Sequence, residues 1–504
     1  MLAAAAMALP LAACSGIELR DPPPVPTQAA TFATSEIVAA AESVRAAGAP
    51  ALLVEVRSAG EVWRSAFGVT SLADSTQPDP LAAVRIASVT KSMIGTILME
   101  LVDEGRLDLD APISGYLPEL RLGREVVEAE DGELALAAGR RPGEAPPEPA
   151  VPAPAEPGHI PGGAEAGDDL AVEASGLAIL NPADRITPRM LAQHETGLPE
   201  YVETFPLEDL GTILGILGGD YTQDALLART AGQPWTSQPG GGFAYSNTNY
   251  LVLSMLIEEL TGSTVEDAVR ERIVERGALE ATSLPRDTAL PEGAAEGYVV
   301  VEGLSINVAR QSASLWSGAG GVVSTVGDVN SFYRGLMQGA YVTPGSLGEQ
   351  LRLNSSGYGI GIMGRADPCP AGAPIVAPTR WPDADSAGGG MARPFPTWSG
   401  GPGAPATSGP ATTAPSPDAA QSPTASPTPA PTPTPTAVQI GEPGMTYGHL
   451  GSGLGYRILS FSSPDGLRQA TVAWTASPVD YGADPRLELA YGVVDAALAA
   501  TCGA

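Results

Sequence analysis

Strand-like segments stand at both ends of this chain and helix-like segments stand between them, and that order restricts the fold more than any other feature. Ala51–Arg57 and Glu61–Phe67 read as two strands joined by Ser58-Ala59-Gly60, a hairpin signal. Far along the chain, Gly455–Ser462 and Gln469–Ala476 repeat the pattern around Ser463-Pro464-Asp465-Gly466. Thr34–Ala47, with Ile37, Val38, Ala41 and Val44 on one side, and Arg486–Ala499 read as helices flanking these strands. Arg189–Gln193, Tyr250–Glu259, Val265–Arg276 and Ser324–Met337 supply helices between them. An isolated hairpin is marginal in water, so two that are distant in sequence gain most by sharing a sheet. The expected fold is α/β in the α+β sense: one antiparallel sheet from both chain ends, flanked by helices, with an inserted, mainly helical lobe.

Two biased segments interrupt this pattern. Residues 121–184 are rich in Glu, Ala, Gly and Pro with little periodicity, and residues 365–443 include the Pro/Thr tract Ser422–Thr436. Both read as disordered insertions, the second extended and of the kind that carries O-linked sugars. They leave one discontinuous domain within 34–504, made of 34–120, 185–364 and 444–504. Residues 14–33, with Pro22, Pro23, Pro24 and Pro26, read as a tether.

Residues 1–13 form a short apolar run ending in Leu11-Ala12-Ala13-Cys14, too short to span a bilayer. It resembles the end of a bacterial lipoprotein signal, although a basic leading region is missing. On that reading Cys14 is lipidated and the protein is exported and anchored to the outer face of the cytoplasmic membrane. The other cysteines, Cys369 and Cys502, can pair in an oxidising compartment. Three cysteines and three histidines, none at metal-ligand spacing, point away from a metal site. A net charge of −30 and a pI near 4.3 argue against nucleic acid or anionic head groups as partners of a basic surface.

Lys and Arg together number 27, and the only lysine among them is Lys91. Arginine cannot give up its proton in a protein, whereas a buried lysine can, so a task needing a neutral amine explains the exception. Ser88 lies three residues earlier. The apolar run Val89, Met93, Ile94, Ile97, Leu98, Leu101 and Val102 then continues at helical spacing to Gly105. Ser88 would open this helix, with Lys91 one turn on and on the same face. A bare Ser-x-x-Lys is a weak pattern, and alone Ser88 reads sooner as a helix cap and Lys91 as a solvated charge.

Two further stretches keep it company. In Phe243–Tyr250, Tyr245 offers a phenol whose proton a nearby cation can draw off, and Asn247 an amide to orient Lys91 or a substrate; the same residues could simply cap a helix. In Tyr447–Tyr456, glycines such as Gly451 let a substrate backbone approach, the Ser452 N–H could bind an oxyanion, and His449 offers a proton donor or a cation beside Tyr245. A glycine-rich turn with an incidental histidine reads equally well there.

Ser-x-x-Lys, then Tyr-Ser-Asn, then His-x-Gly, in that order, resemble the serine β-lactamase and D-alanyl-D-alanine peptidase superfamily, and within it the class C β-lactamase and Streptomyces-type DD-carboxypeptidase branch. Leu191–Tyr201 and Gly318–Met337 also read like segments of that family. The resemblance implies that Ser88 is the acylated nucleophile, Lys91 and Tyr245 its proton relay, and Asn247 the orienting group. It implies an oxyanion hole from the backbone N–H groups of Ser88 and Ser452, with Gly451 and Ser452 lining the substrate. His449 stands where class C β-lactamases carry Lys, which tilts the reading towards carboxypeptidases and esterase-like relatives. Leu450 departs from the usual hydroxyl residue, and Glu195 from the usual Thr. His194 matches a family loop and is expected to be structural. The implied protein is a monomeric serine hydrolase without cofactor or metal, a D-alanyl-D-alanine carboxypeptidase or β-lactamase-related enzyme acting on a small molecule or peptidoglycan peptide. Its rivals are an esterase on the same scaffold and a non-catalytic cell-wall-binding lipoprotein.

Overall fold

The computed structural model describes residues 28–29, 31–73, 76–122, 181–288, 290–369, 441–442, 444–478 and 484–502. Cys14, the expected signal and most of the tether lie outside these residues, as do His159 and most of both expected insertions.

The expected sheet forms from both ends of the chain. Its seven strands run in the order Gln28–Ala29, Glu61–Gly68, Ala51–Ser58, Arg468–Thr475, Tyr456–Ser462, Met445–Gly453, Met363–Ala366. All neighbours are antiparallel except the first pair. The two hairpins meet through Ala51–Ser58 and Arg468–Thr475, with Val54 opposite Val472.

The helices Ser35–Ala46 and Arg486–Ala500 cover one face. Ile37, Ala41, Val44, Val493, Val494 and Leu498 pack there on Leu52, Val54, Val56, Leu459, Val472 and Trp474. Every residue of Ala51–Ser58 is buried, so the other face is covered too. There Glu55 and Arg57 pair at 2.5 Å, and Asn330 of the Val326–Met337 helix donates to Glu55 and accepts from Thr471. The remaining lobe is mainly helical, with Thr90–Asp103 and Asn247–Thr261 at its centre.

Some boundaries differ from the sequence reading. Val265–Arg276 is not one α-helix: Val265–Val269 is followed by a wide π-type turn, Arg270–Glu275. The glycine-rich stretch at 447–453 is itself a strand. Met363–Ala366 runs two residues into the span assigned to the second insertion, and Asn181 caps a turn at Pro182–Asp184, inside the first. Cys369 and Cys502 are joined by a disulfide, Cα–Cα 5.5 Å, which ties the chain just beyond Met363–Ala366 to the end of the C-terminal helix.

Candidate active site

Ser88 lies in a tight turn, Ala87–Val89, that leads directly into the Thr90–Asp103 helix. Val84–Arg85, paired with Val323–Ser324, delivers it there. Ala87 has φ of 44°, the left-handed region, which costs an L residue about 1–2 kcal/mol and persists only where packing imposes it. Part of that packing comes from the Met445–Gly453 strand. A Cβ on Gly451 would stand 2.3 Å from the Ile86 carbonyl oxygen, so glycine is what lets the strand lie against this turn.

Lys91 is fully buried in the first turn of the helix. Its Nζ lies 3.1 Å from Ser88 Oγ, 2.7 Å from Asn247 Oδ1 and 2.6 Å from the Ala319 carbonyl. All three are neutral acceptors, and among the described residues no carboxylate touches the amine. Burial pulls its pKa from 10.5 down to about 7, against the opposing charge of Glu200. As pH rises through neutrality the amine therefore sheds its proton and presents a lone pair. Tyr245 Oη donates to Ser88 Oγ at 2.9 Å, which leaves the serine's own proton free to point at Lys91. Burial pushes the Tyr245 phenol above its usual range, and Glu200 pushes it the same way, with only the Ser88 hydrogen bond opposing. No cation draws off the Tyr245 proton in the resting site, and the phenol keeps it.

The sequence around Tyr245 serves both of its expected readings. Ser246 caps the Asn247–Thr261 helix by accepting from the Thr248 N–H, while Tyr245 and Asn247 on either side of it reach Ser88 and Lys91.

His449 is buried, and its surroundings fix its tautomer. Nδ1 lies 2.6 Å from the Leu450 carbonyl, which only accepts, so Nδ1 carries the hydrogen. Nε2 is then bare and accepts from Tyr358 Oη at 2.7 Å. Burial, reinforced by Lys91, pulls its pKa to about 3. Of the two expected roles beside Tyr245, proton donor or cation, neither is met in the resting site: the ring is neutral, its one N–H goes to the Leu450 carbonyl, and Tyr358 holds the other nitrogen.

His194, expected to have only a structural role away from the nucleophile, lies against the tyrosine that touches it. The two ring centroids are 4.1 Å apart. His194 Nδ1 accepts from the Ser246 N–H at 3.2 Å, so its hydrogen sits on Nε2, which is buried without a partner among the described residues.

Met363–Ala366 pairs with the neighbouring strand only over Met445–Gly448. From His449 onward no described strand covers that edge, and Leu450 and Ser452 line a cavity of about 800 Å³ together with Ser88, Tyr245 and Asn247. Its walls are largely apolar and aromatic: Val202, Phe205, Leu207, Phe243, Trp316, Tyr358 and Met363. Glu200, Glu203 and Glu208 also line it, and no arginine does among the described residues. Ser452 Oγ is buried there without a partner among the described residues. Gly451 itself is buried against Ile86, so its part is in the approach of the strand rather than in the lining.

Sequence reasoning missed Glu200, Tyr358 and the aromatic wall. Glu200 lies within the Leu191–Tyr201 segment already noted, but nothing in the spelling of that segment shows what it faces. No group of His, Cys, Asp and Glu residues suited to hold a metal occurs among the described residues.

A family model described as Beta-lactamase matches residues 38–488. The human serine beta-lactamase-like protein LACTB, mitochondrial, is 38% identical over 73 residues, 14% of this chain and 13% of that relative's length. A putative penicillin-binding protein, PbpX of Bacillus subtilis, is 21% identical over 308 residues, 61% of this chain and 60% of its own. The crystal structure of a D-stereospecific amidohydrolase from Streptomyces sp. superposes with a TM-score of 0.58 at 19% identity, covering 88% of this chain and 94% of that one.

Proposed function

The chain belongs to the beta-lactamase family of serine hydrolases, and from that premise we propose that it cleaves ester or amide bonds through an acyl-enzyme on Ser88. The observation that carries this is the buried Lys91 amine, 3.1 Å from Ser88 Oγ and surrounded by neutral acceptors. As Oγ attacks the substrate carbonyl, Lys91 takes its proton. Tyr245 hands a proton to the leaving group and is resupplied by Lys91. The N–H groups of Ser88 and Ser452 receive the oxyanion, and Asn247 keeps the amine aimed. In deacylation the same groups act on water.

The cavity favours amide or ester substrates over a peptide ending in a free carboxylate. Among the described residues neither lysine nor arginine lines it, Lys91 being fully buried; His449 is neutral and Leu450 brings no hydroxyl. A terminal carboxylate would meet three glutamates and no counter-charge, an unfavourable desolvation. This weighs against D-alanyl-D-alanine carboxypeptidase and towards an esterase or amidase. The name of the amidohydrolase neighbour is in keeping with that. Export with a lipidated Cys14 is part of the proposal, supported by the Cys369–Cys502 disulfide, a bond of oxidising compartments. No helix among the described residues is long and apolar enough to cross a membrane.

The test is intact mass and product release for wild type and Ser88→Ala, with p-nitrophenyl esters and with benzylpenicillin. The expected result is Ser88-dependent ester turnover with the drug neither bound nor consumed. A persistent Ser88-dependent penicillin adduct would return the reading to a penicillin-binding peptidase, and consumption without adduct to a β-lactamase. Inertness towards every substrate would mean a non-catalytic protein.

A further inference from the structure

We propose that Glu200 is a positioning residue for the reactive lysine: it anchors the Asn247 backbone whose side chain holds the Lys91 amine, and its carboxylate, when ionised, adds negative charge to the surroundings of that amine. Glu200 Oε2 accepts from the Asn247 N–H at 2.5 Å, and Oε1 accepts from the Val202 N–H at 2.8 Å. These bonds fasten the carboxylate to the start of the Asn247–Thr261 helix and to its own loop. Asn247 Oδ1 in turn takes a hydrogen bond from Lys91. Glu200 thus sits three hydrogen bonds from Ser88 Oγ, on the wall of the same cavity.

No arginine pairs with it among the described residues, although arginine ion pairs are frequent elsewhere in the molecule. A direct Arg partner would have neutralised its field at Lys91. The other groups facing this pair are weak rivals. His194 and His449 are held neutral by burial and by Lys91 itself. Tyr245 is a protonated phenol, and the Tyr250 ring lies 5.2 Å from Nζ. Glu203 is exposed and acts chiefly on Glu200, whose own pKa burial raises. Lys91 therefore titrates between two opposed influences: burial, which favours the amine, and Glu200, which favours the ammonium.

The sign of the effect follows. Lys91 acts as a base only when neutral, so activity rises as pH passes its pKa. Removing the Glu200 charge removes support for the ammonium, and the amine should lose its proton at lower pH. One readout needs no activity. Lys91 is the only lysine in the sequence, so protein labelled with lysine carrying ¹³C at Cε gives one Cε signal.

The experiment titrates that signal in wild type, Glu200→Gln, Glu200→Asp and Glu203→Gln, alongside the pH profile of p-nitrophenyl ester turnover. In Glu200→Gln the midpoint should fall by about one pH unit, a tenfold change in the acid constant and within the range for loss of a neighbouring opposite charge. The acidic limb of kcat/KM should move with it. Glu200→Asp and Glu203→Gln should stay near wild type. If Glu200→Gln does not fold, Glu200→Ser, which can still accept one backbone N–H, serves as the neutral variant. A midpoint unmoved in the neutral variant overturns the proposal and leaves Glu200 a plain helix cap. The inference rests on the acyl-enzyme reading for its catalytic meaning only. An inert wild type would defeat that reading, whereas an active enzyme with an unmoved Lys91 midpoint would defeat this inference alone.

Discussion

Arg57 and Lys91 are both buried cation-formers, and the structure treats them oppositely. Arg57 lies inside the sheet with Glu55 at 2.5 Å, and it also donates to the Gly327 carbonyl and to Ser331. Glu55 is itself buried and shared with Arg64 and Asn330. Lys91 is at least as buried but meets only a hydroxyl, an amide oxygen and a carbonyl, with its nearest influential carboxylate out of contact. Burial lowers both pKa values, but the guanidinium starts so high, and has Glu55 so near, that it stays charged. The ammonium loses its proton as pH rises through about 7. A buried cation with a paired carboxylate is architecture; one surrounded by neutral acceptors is a base in waiting.

The comparison breaks most visibly at Lys91 itself. Lys91→Arg keeps a charge and loses the base, so the rate of Ser88 acylation should fall by about 10³-fold, measured with p-nitrophenyl esters under single-turnover conditions. Next comes the pair in the sheet. Glu55→Gln leaves Arg57 charged without its partner, and denaturant unfolding should show a loss of about 3 kcal/mol.

Lys91→Met sharpens the contrast, because it should be inactive yet more stable than wild type, by about 2 kcal/mol at pH 6. The sign is fixed by linkage. The folded pKa of about 7 lies below the unfolded 10.5, so the unfolded chain binds more protons between those values. Wild-type stability therefore rises with pH across that window, and the advantage of Lys91→Met should narrow from pH 7 towards 10.5. The smallest effect belongs to the turn. Ala87→Gly relieves the φ of 44° and should raise stability by up to about 1 kcal/mol while slowing acylation, since the turn aims Ser88.

These residues differ in how far they could be read in advance. The sheet was legible because hairpins 51–67 and 455–476 carry their own turn signals. Ser88, Lys91, Tyr245 and Asn247 were legible because two short motifs each bring two of them, and the structure assembles all four. The strand at 445–453 was harder: glycine lowers β propensity, and the requirement it answers, close approach to Ile86, lies far away in sequence. The part played by His449 stayed open between proton donor and cation because its tautomer is set by a backbone carbonyl and by Tyr358. Glu200 was invisible for a similar reason, as its influence runs through space and the backbone of Asn247. Glu55 and Arg57 look like solvent-facing charges in a strand until the helix Val326–Met337 covers them.

The central claim is that Lys91 loses its proton near neutral pH, and the most direct measurement is the Cε titration of this single lysine in the wild-type protein. The account predicts one signal with a midpoint near 7, coincident with the acidic limb of ester turnover. A midpoint near 10, with ester turnover already at its plateau at pH 7, would contradict it and would make Lys91 a buried ammonium like its arginine counterpart.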